Sequence, residues 1–137
     1  MLRIFAAPLK EIIDHLNYDI AKDLIKLRLI PFAMDGFDEG PLVFDGRQSE
    51  MDNEFPIRTY NFDYNGQIDG LGDVIFSSFG KMLQCLTHFL KEKKSRRDFD
   101  IFPDFLSINP NGAGKTGVDY WLNYAAMERS NFEEFGE

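Results

Sequence analysis

The run from Phe76 to Leu90 constrains this chain most. Phe76, Phe79, Leu83, Leu86 and Leu90 recur at steps of three and four, with Met82 and Phe89 on the flank. That spacing predicts a helix whose apolar stripe docks as a core element. Ser77 or Ser78 is placed to cap its start, and Lys91, Lys93 and Lys94 suit the negative end of the helix dipole.

Around this helix the pattern changes period. Leu2–Phe5 reads as a short strand, and Leu9, Ile12, Ile13, Leu16 and Ile20 form a helical stripe. Ile25, Leu27 and Leu29 alternate with Lys26 and Arg28, as in a half-buried strand that Pro31 ends or bulges. Leu42–Phe44 and Phe55–Phe62 read as two further strands, and Asn65-Gly66 as a tight turn. Asp98–Gly117 reads as a loop, after which Val118, Trp121, Leu122 and Ala125 resume helical spacing. Strands in one block with helices before and after predict an α+β fold, an antiparallel sheet with helices packed on one face. The length of 137 residues and 44% hydrophobic content suit a single domain over 1–137 without disulfide or metal support.

Charge is unevenly distributed. The net charge is −8, and Asp35–Asp73 holds ten acids against Arg47 and Arg58. The rest of the chain balances. An acidic protein of this kind is a poor ligand for nucleic acid or anionic membrane. No apolar run approaches a membrane span, and Pro8, Lys10 and Glu11 interrupt any signal-peptide core. The lone Cys85 has no internal partner, which fits a reducing, cytoplasmic setting.

The motifs that carry enzyme chemistry are not met. Gly112-Ala113-Gly114-Lys115-Thr116 has the look of a phosphate loop, but Asn109 stands where the first glycine belongs and Pro110 removes a donor. Asp35-Gly36-Phe37-Asp38-Glu39-Gly40 lacks calcium-loop spacing. His15 and His88 read as surface residues, and Cys85 as a buried small hydrophobe. Lys91–Arg97 reads as a solvated helix end. No catalytic residue, metal ligand or cofactor is assigned, and an enzyme using two of the acids is the least favoured reading.

Leu29-Ile30-Pro31-Phe32-Ala33-Met34-Asp35-Gly36, Leu42-Val43-Phe44-Asp45, Phe55-Pro56-Ile57, and Ser78-Phe79 with Leu83 and Leu86 follow one another in order. Together they resemble the SUKH superfamily, which groups fungal regulators of cell-wall glucan synthesis with bacterial immunity proteins of polymorphic toxin systems. The resemblance covers about residues 2–90 and leaves 91–137 as a C-terminal helical extension. It implies a non-enzymatic protein-binding module, first an immunity protein neutralising a cognate toxin, alternatively a regulatory or scaffold domain. Toxins of such systems are often nucleases, whose basic clefts a carboxylate-rich surface would fill. The residues expected to face the partner are Asp35, Phe37, Asp38, Glu39, Asp45, Tyr60 and Asp63.

Overall fold

A computed structural model of the chain describes residues 19–34, 40–47, 54–110 and 114–136. The expected strand at Leu2–Phe5, the start of the first helical stripe, His15, and Gly112-Ala113 lie outside the described residues. The fold is α+β, with four strands in the order β1-β2-β3-β4 and helices before and after them. By its internal contacts the chain divides into two compact units, residues 2–72 and 73–137.

In the first unit α1 (Asp19–Lys26) leads into β1 (Leu29–Met34), β2 (Pro41–Asp45) and β3 (Ile57–Tyr60). Leu24 of the helix is buried with Leu29, Val43 and Tyr60, and Ile20, Leu27 and Leu71 pack around them. Ile20, Leu24 and Leu27 recur at four and three, so one helical face lies on β1. The strand expected from Ile25 therefore begins later. Ile25 and Lys26 complete the helix, Arg28 turns the chain at φ 63°, and its carbonyl accepts the Gly46 N–H at 2.8 Å. Three alternating apolar residues fit either period, and the helical stripe from Ile20 wins here.

β1 and β2 pair antiparallel from Leu29↔Asp45 to Met34↔Pro41, with the register slipping between Pro31 and Ala33. The bulge expected at Pro31 is present. Phe32, at the slip, stacks on Phe44 with centroids 4.2 Å apart. β3 pairs antiparallel with β2 from Phe44↔Ile57 to Leu42↔Thr59. It is shorter than the Phe55–Phe62 strand expected, because Phe62 already belongs to a turn.

β4 (Leu71–Phe76) runs from the end of the first unit into the second and was not legible as a strand. Phe76 is therefore a buried strand residue and not the first residue of the helical stripe. Ser78 caps α2 (Phe79–Glu92), its Oγ accepting the Lys81 N–H at 3.1 Å. The expected phase of α2 is overturned. Its buried residues are Met82, Cys85 and Phe89, whereas Phe79 and Leu83 are each 47% exposed and Leu90 is 61% exposed.

The segment read as a loop is also helical. α3 (Asp98–Ile101), a 3-10 turn (Phe102–Asp104) and α4 (Phe105–Ile108) follow in close succession, then α5 (Gly114–Phe135). Ile101, Phe102 and Phe105 are buried, so short hydrophobic turns do here what a long amphipathic helix does elsewhere. Phe102 lies edge-on to Tyr124 at 4.7 Å, Phe105 to Trp121 at 4.8 Å, and Phe89 stacks on Phe102 at 5.4 Å. Edge-to-face and offset pairs are the arrangements aromatic quadrupoles favour. Trp121 Nε1–H donates to the Ile75 carbonyl at 3.2 Å, satisfying the one polar atom of its ring. Asn109, buried, accepts the Ser77 N–H at 2.8 Å and donates to Ser77 Oγ at 2.7 Å, fastening the corner between β4 and α2.

Candidate protein-binding surface

After β3 the chain makes two consecutive 3-10 turns, Phe62–Tyr64 and Ile68–Gly70, which pack on each other. The base is closed by the Asn61 N–H donating to the Gly70 carbonyl at 3.0 Å. Asn61 Oδ1 accepts the Asp63 N–H at 2.9 Å, capping the first turn. Asn65 at φ 51° and Gly66 at φ 87° reverse the direction between the turns, the conformation Asn-Gly adopts most readily. The phenol of Tyr60 crosses beneath and donates to the Gln67 carbonyl at 2.7 Å. At Gly70 a Cβ would lie 2.7 Å from Tyr64 Cβ and 2.8 Å from the Tyr60 ring, so only glycine fits. Ten residues of loop are thus held by backbone, side-chain and steric constraints at once.

This rigid loop presents apolar groups outward. Phe62, Tyr64 and Ile68 are between 37% and 45% exposed, and their chain neighbours Asp63 and Asp69 are exposed as well. Residues 61–73 hold three acids, Asp63, Asp69 and Asp73, and no Lys or Arg. Asp23 of α1 lies beside Gly66, so its carboxylate joins the same surface. Burial pushes the Tyr60 phenol above its ordinary pKa, and the charges of Asp23 and Asp69 push it the same way. Aromatic rings held in fixed positions, rimmed by carboxylates, suit recognition of a protein surface carrying apolar pockets and basic residues.

The residues expected at the partner face fall in different places. Asp63 is on the exposed turn. Tyr60 is buried and supports the loop through its bond to the Gln67 carbonyl, so it offers no surface of its own. Asp45 is turned inward. Its carboxylate is buried and accepts Arg47 Nε and Nη2 at 2.9 Å each, the Arg47 N–H at 3.1 Å, and Arg58 Nη1 at 3.4 Å. The paired Arg47 guanidinium holds the Asp45 carboxyl below its ordinary pKa. Arg58 also donates to the Gly72 carbonyl at 2.8 Å, so this ion cluster ties β2, β3 and the start of β4 together. Asp45 is a structural acid, not a partner-facing one. Asp35, Phe37, Asp38 and Glu39 lie outside the described residues.

Sequence reasoning missed Ile68, whose signal was its place two residues beyond Asn65-Gly66. It also misplaced His88, which is not a bare surface residue. His88 Nε2 lies 2.8 Å from Asp104 Oδ2, and Arg96 Nη1 donates to the same oxygen at 2.7 Å. Arg96 is the main cause of the lowered Asp104 pKa, and the cluster bonds α2 and the residues after it to the 3-10 turn. Among the described residues no group of three His, Cys, Asp or Glu side chains is arranged to hold a metal ion. Nor, among them, is any helix long and apolar enough to cross a membrane. No family model matches the chain, and comparisons with curated proteins and with solved structures likewise find no match.

Proposed function

We propose that this protein is a non-enzymatic protein-binding module that uses the acidic double turn at residues 61–70 to dock a basic partner. In its fuller form, the reading makes it an immunity protein that covers the basic cleft of a toxin domain. What carries the proposal is the combination of exposed Phe62, Tyr64 and Ile68 with Asp63 and Asp69 on a loop fixed by hydrogen bonds. A preformed loop loses little freedom on binding, so more of its contact energy appears as affinity. The resemblance of residues 2–90 to the SUKH superfamily and the excess of acids over Asp35–Asp73 support the same reading. Its single cysteine, with no internal disulfide partner, is compatible on this proposal with the reducing cytoplasm.

The test is a pull-down with the full chain as bait, then association kinetics against the recovered partner. Wild-type on-rates should fall steeply with added salt, since screening shortens electrostatic reach to about 8 Å at physiological ionic strength. Asp63→Asn with Asp69→Asn should slow association, while Tyr64→Ala should mainly speed dissociation. Salt-independent on-rates, with a dissociation rate unmoved by Tyr64→Ala, would refute the proposal.

A further inference from the structure

α2 carries two neighbouring apolar stripes, one buried and one facing solvent. Met82, Cys85 and Phe89 are buried, and Phe79, Leu83 and Leu90 are between 47% and 61% exposed. With Thr87 they make one outward stripe at spacings of four, four and three. An amphipathic helix normally turns polar residues to solvent, so a second apolar stripe beside the buried one is a candidate docking face. The stripe also has a polarity, since it runs into exposed Lys91 and Lys94 and then Arg97.

We propose that this outward face of α2 docks an amphipathic helix of another protein. That helix lies antiparallel to α2, its apolar residues covering Phe79, Leu83 and Leu90 and its acidic first turn meeting Lys91 and Lys94. Two observations choose this occupant. One half-exposed Phe and two half-exposed Leu amount to on the order of 300 Å², the size of a functional patch but far below the ~800 Å² per partner of a stable dimer. Charge then decides against a second copy. An antiparallel copy of α2 would set Lys91 and Lys94 against the positive N-terminal end of its neighbour. An acidic first turn is favourable at any helix N-terminus, so the same carboxylates would cap the incoming helix and pair with the lysines. Laying an apolar helix stripe on a complementary face is a recurrent mode of peptide recognition. The surface is distinct from the double turn, and the two are tested separately.

The experiment pans the full chain against two displayed libraries of amphipathic helices of about 15 residues, one with acidic and one with basic first turns. Binders should come from the acidic library. Leu83→Glu should weaken them roughly tenfold or more, with the fold verified by circular dichroism and Trp121 fluorescence. Lys91→Glu with Lys94→Glu should move enrichment to the basic library, and Tyr64→Ala should leave binding unchanged. The inference is overturned if neither library yields a binder that Leu83→Glu weakens, or if reversing the lysines leaves the preference unmoved. It is equally overturned if sedimentation shows a concentration-dependent dimer abolished by Leu83→Glu, because a second copy would then cover the stripe.

Discussion

Replacing Asp45 by Asn tests the first unit at a point where four hydrogen bonds converge. The carboxylate receives bonds from Arg47 Nε, Nη2 and the backbone N–H, and from Arg58 Nη1. Breaking a fully buried ion pair by removing one partner costs roughly 3–5 kcal/mol. Arg47 and Arg58 keep 36% and 27% of their side-chain surface in solvent and can rehydrate, which brings the expected loss to about 2–3 kcal/mol. With a urea dependence of about 1–3 kcal/mol per molar, the midpoint at pH 7 should fall by around 1 M or more. The pH dependence fixes the origin of the effect. The folded-state pKa of Asp45 is lowered from its ordinary 3.8, so its contribution is complete above that value and fades as pH falls through the folded pKa. Wild type and Asp45→Asn should therefore converge in acid below about pH 3.8. Trp121 is the single tryptophan and belongs to residues 73–137, so its fluorescence follows that unit while far-ultraviolet dichroism follows the whole chain. Separate shifts in the two signals would show the units melting independently. An unchanged midpoint at pH 7 by dichroism would refute the reasoning.

Other perturbations follow from the same geometry. Phe105→Ala should cost about 3–5 kcal/mol in chemical denaturation, whereas Leu83→Ala should cost less than ~1 kcal/mol; the reverse order would restore the helix phase expected from sequence. Cys85 is fully buried and its thiol is pushed up to about 12 by burial, so thiol reagents at pH 8 should label it only at the rate of unfolding. Rapid labelling of the native protein would contradict that burial. His88→Ala removes the bond to Asp104 and should cost up to ~1 kcal/mol, measured as a shift in melting temperature at neutral pH. Gly70→Ala should destabilise by about 1–3 kcal/mol and blunt partner binding, because its methyl displaces Tyr60 and Tyr64 together.

How far the sequence foretells this fold depends on which force decides each element. Leu42–Phe44 and the bulge at Pro31 are local matters of alternation and a missing N–H, and both stand. A cap at Ser77 or Ser78 is equally local, and of the two it is Ser78 that serves. The phase of α2 is not local. Two apolar stripes compete on one helix, and Phe102, contributed by a segment read as loop, stacks on Phe89 and favours the stripe of Met82, Cys85 and Phe89. That segment escaped notice because each helix within it is four residues long, too short to show a period. At the candidate surface, the Asn65-Gly66 turn and its acidic surroundings were legible. The inward turn of Asp45 was not, because a carboxylate in an acidic segment looks alike whether it faces water or two arginines.

Pro31 carries a consequence for life in a crowded solution. Among the described residues β1 is an outer strand of the sheet, with a flank that no described strand pairs. An open strand flank is a template on which other chains can zip up into aggregates. A proline contributes no N–H to such a zipper, and the register slip beside it bends the strand out of the regular repeat that fibrils need. Replacing Pro31 by valine would supply the missing donor and a residue that favours extended pairing. The altered chain should then form thioflavin-positive aggregates at concentrations where the natural one stays monodisperse.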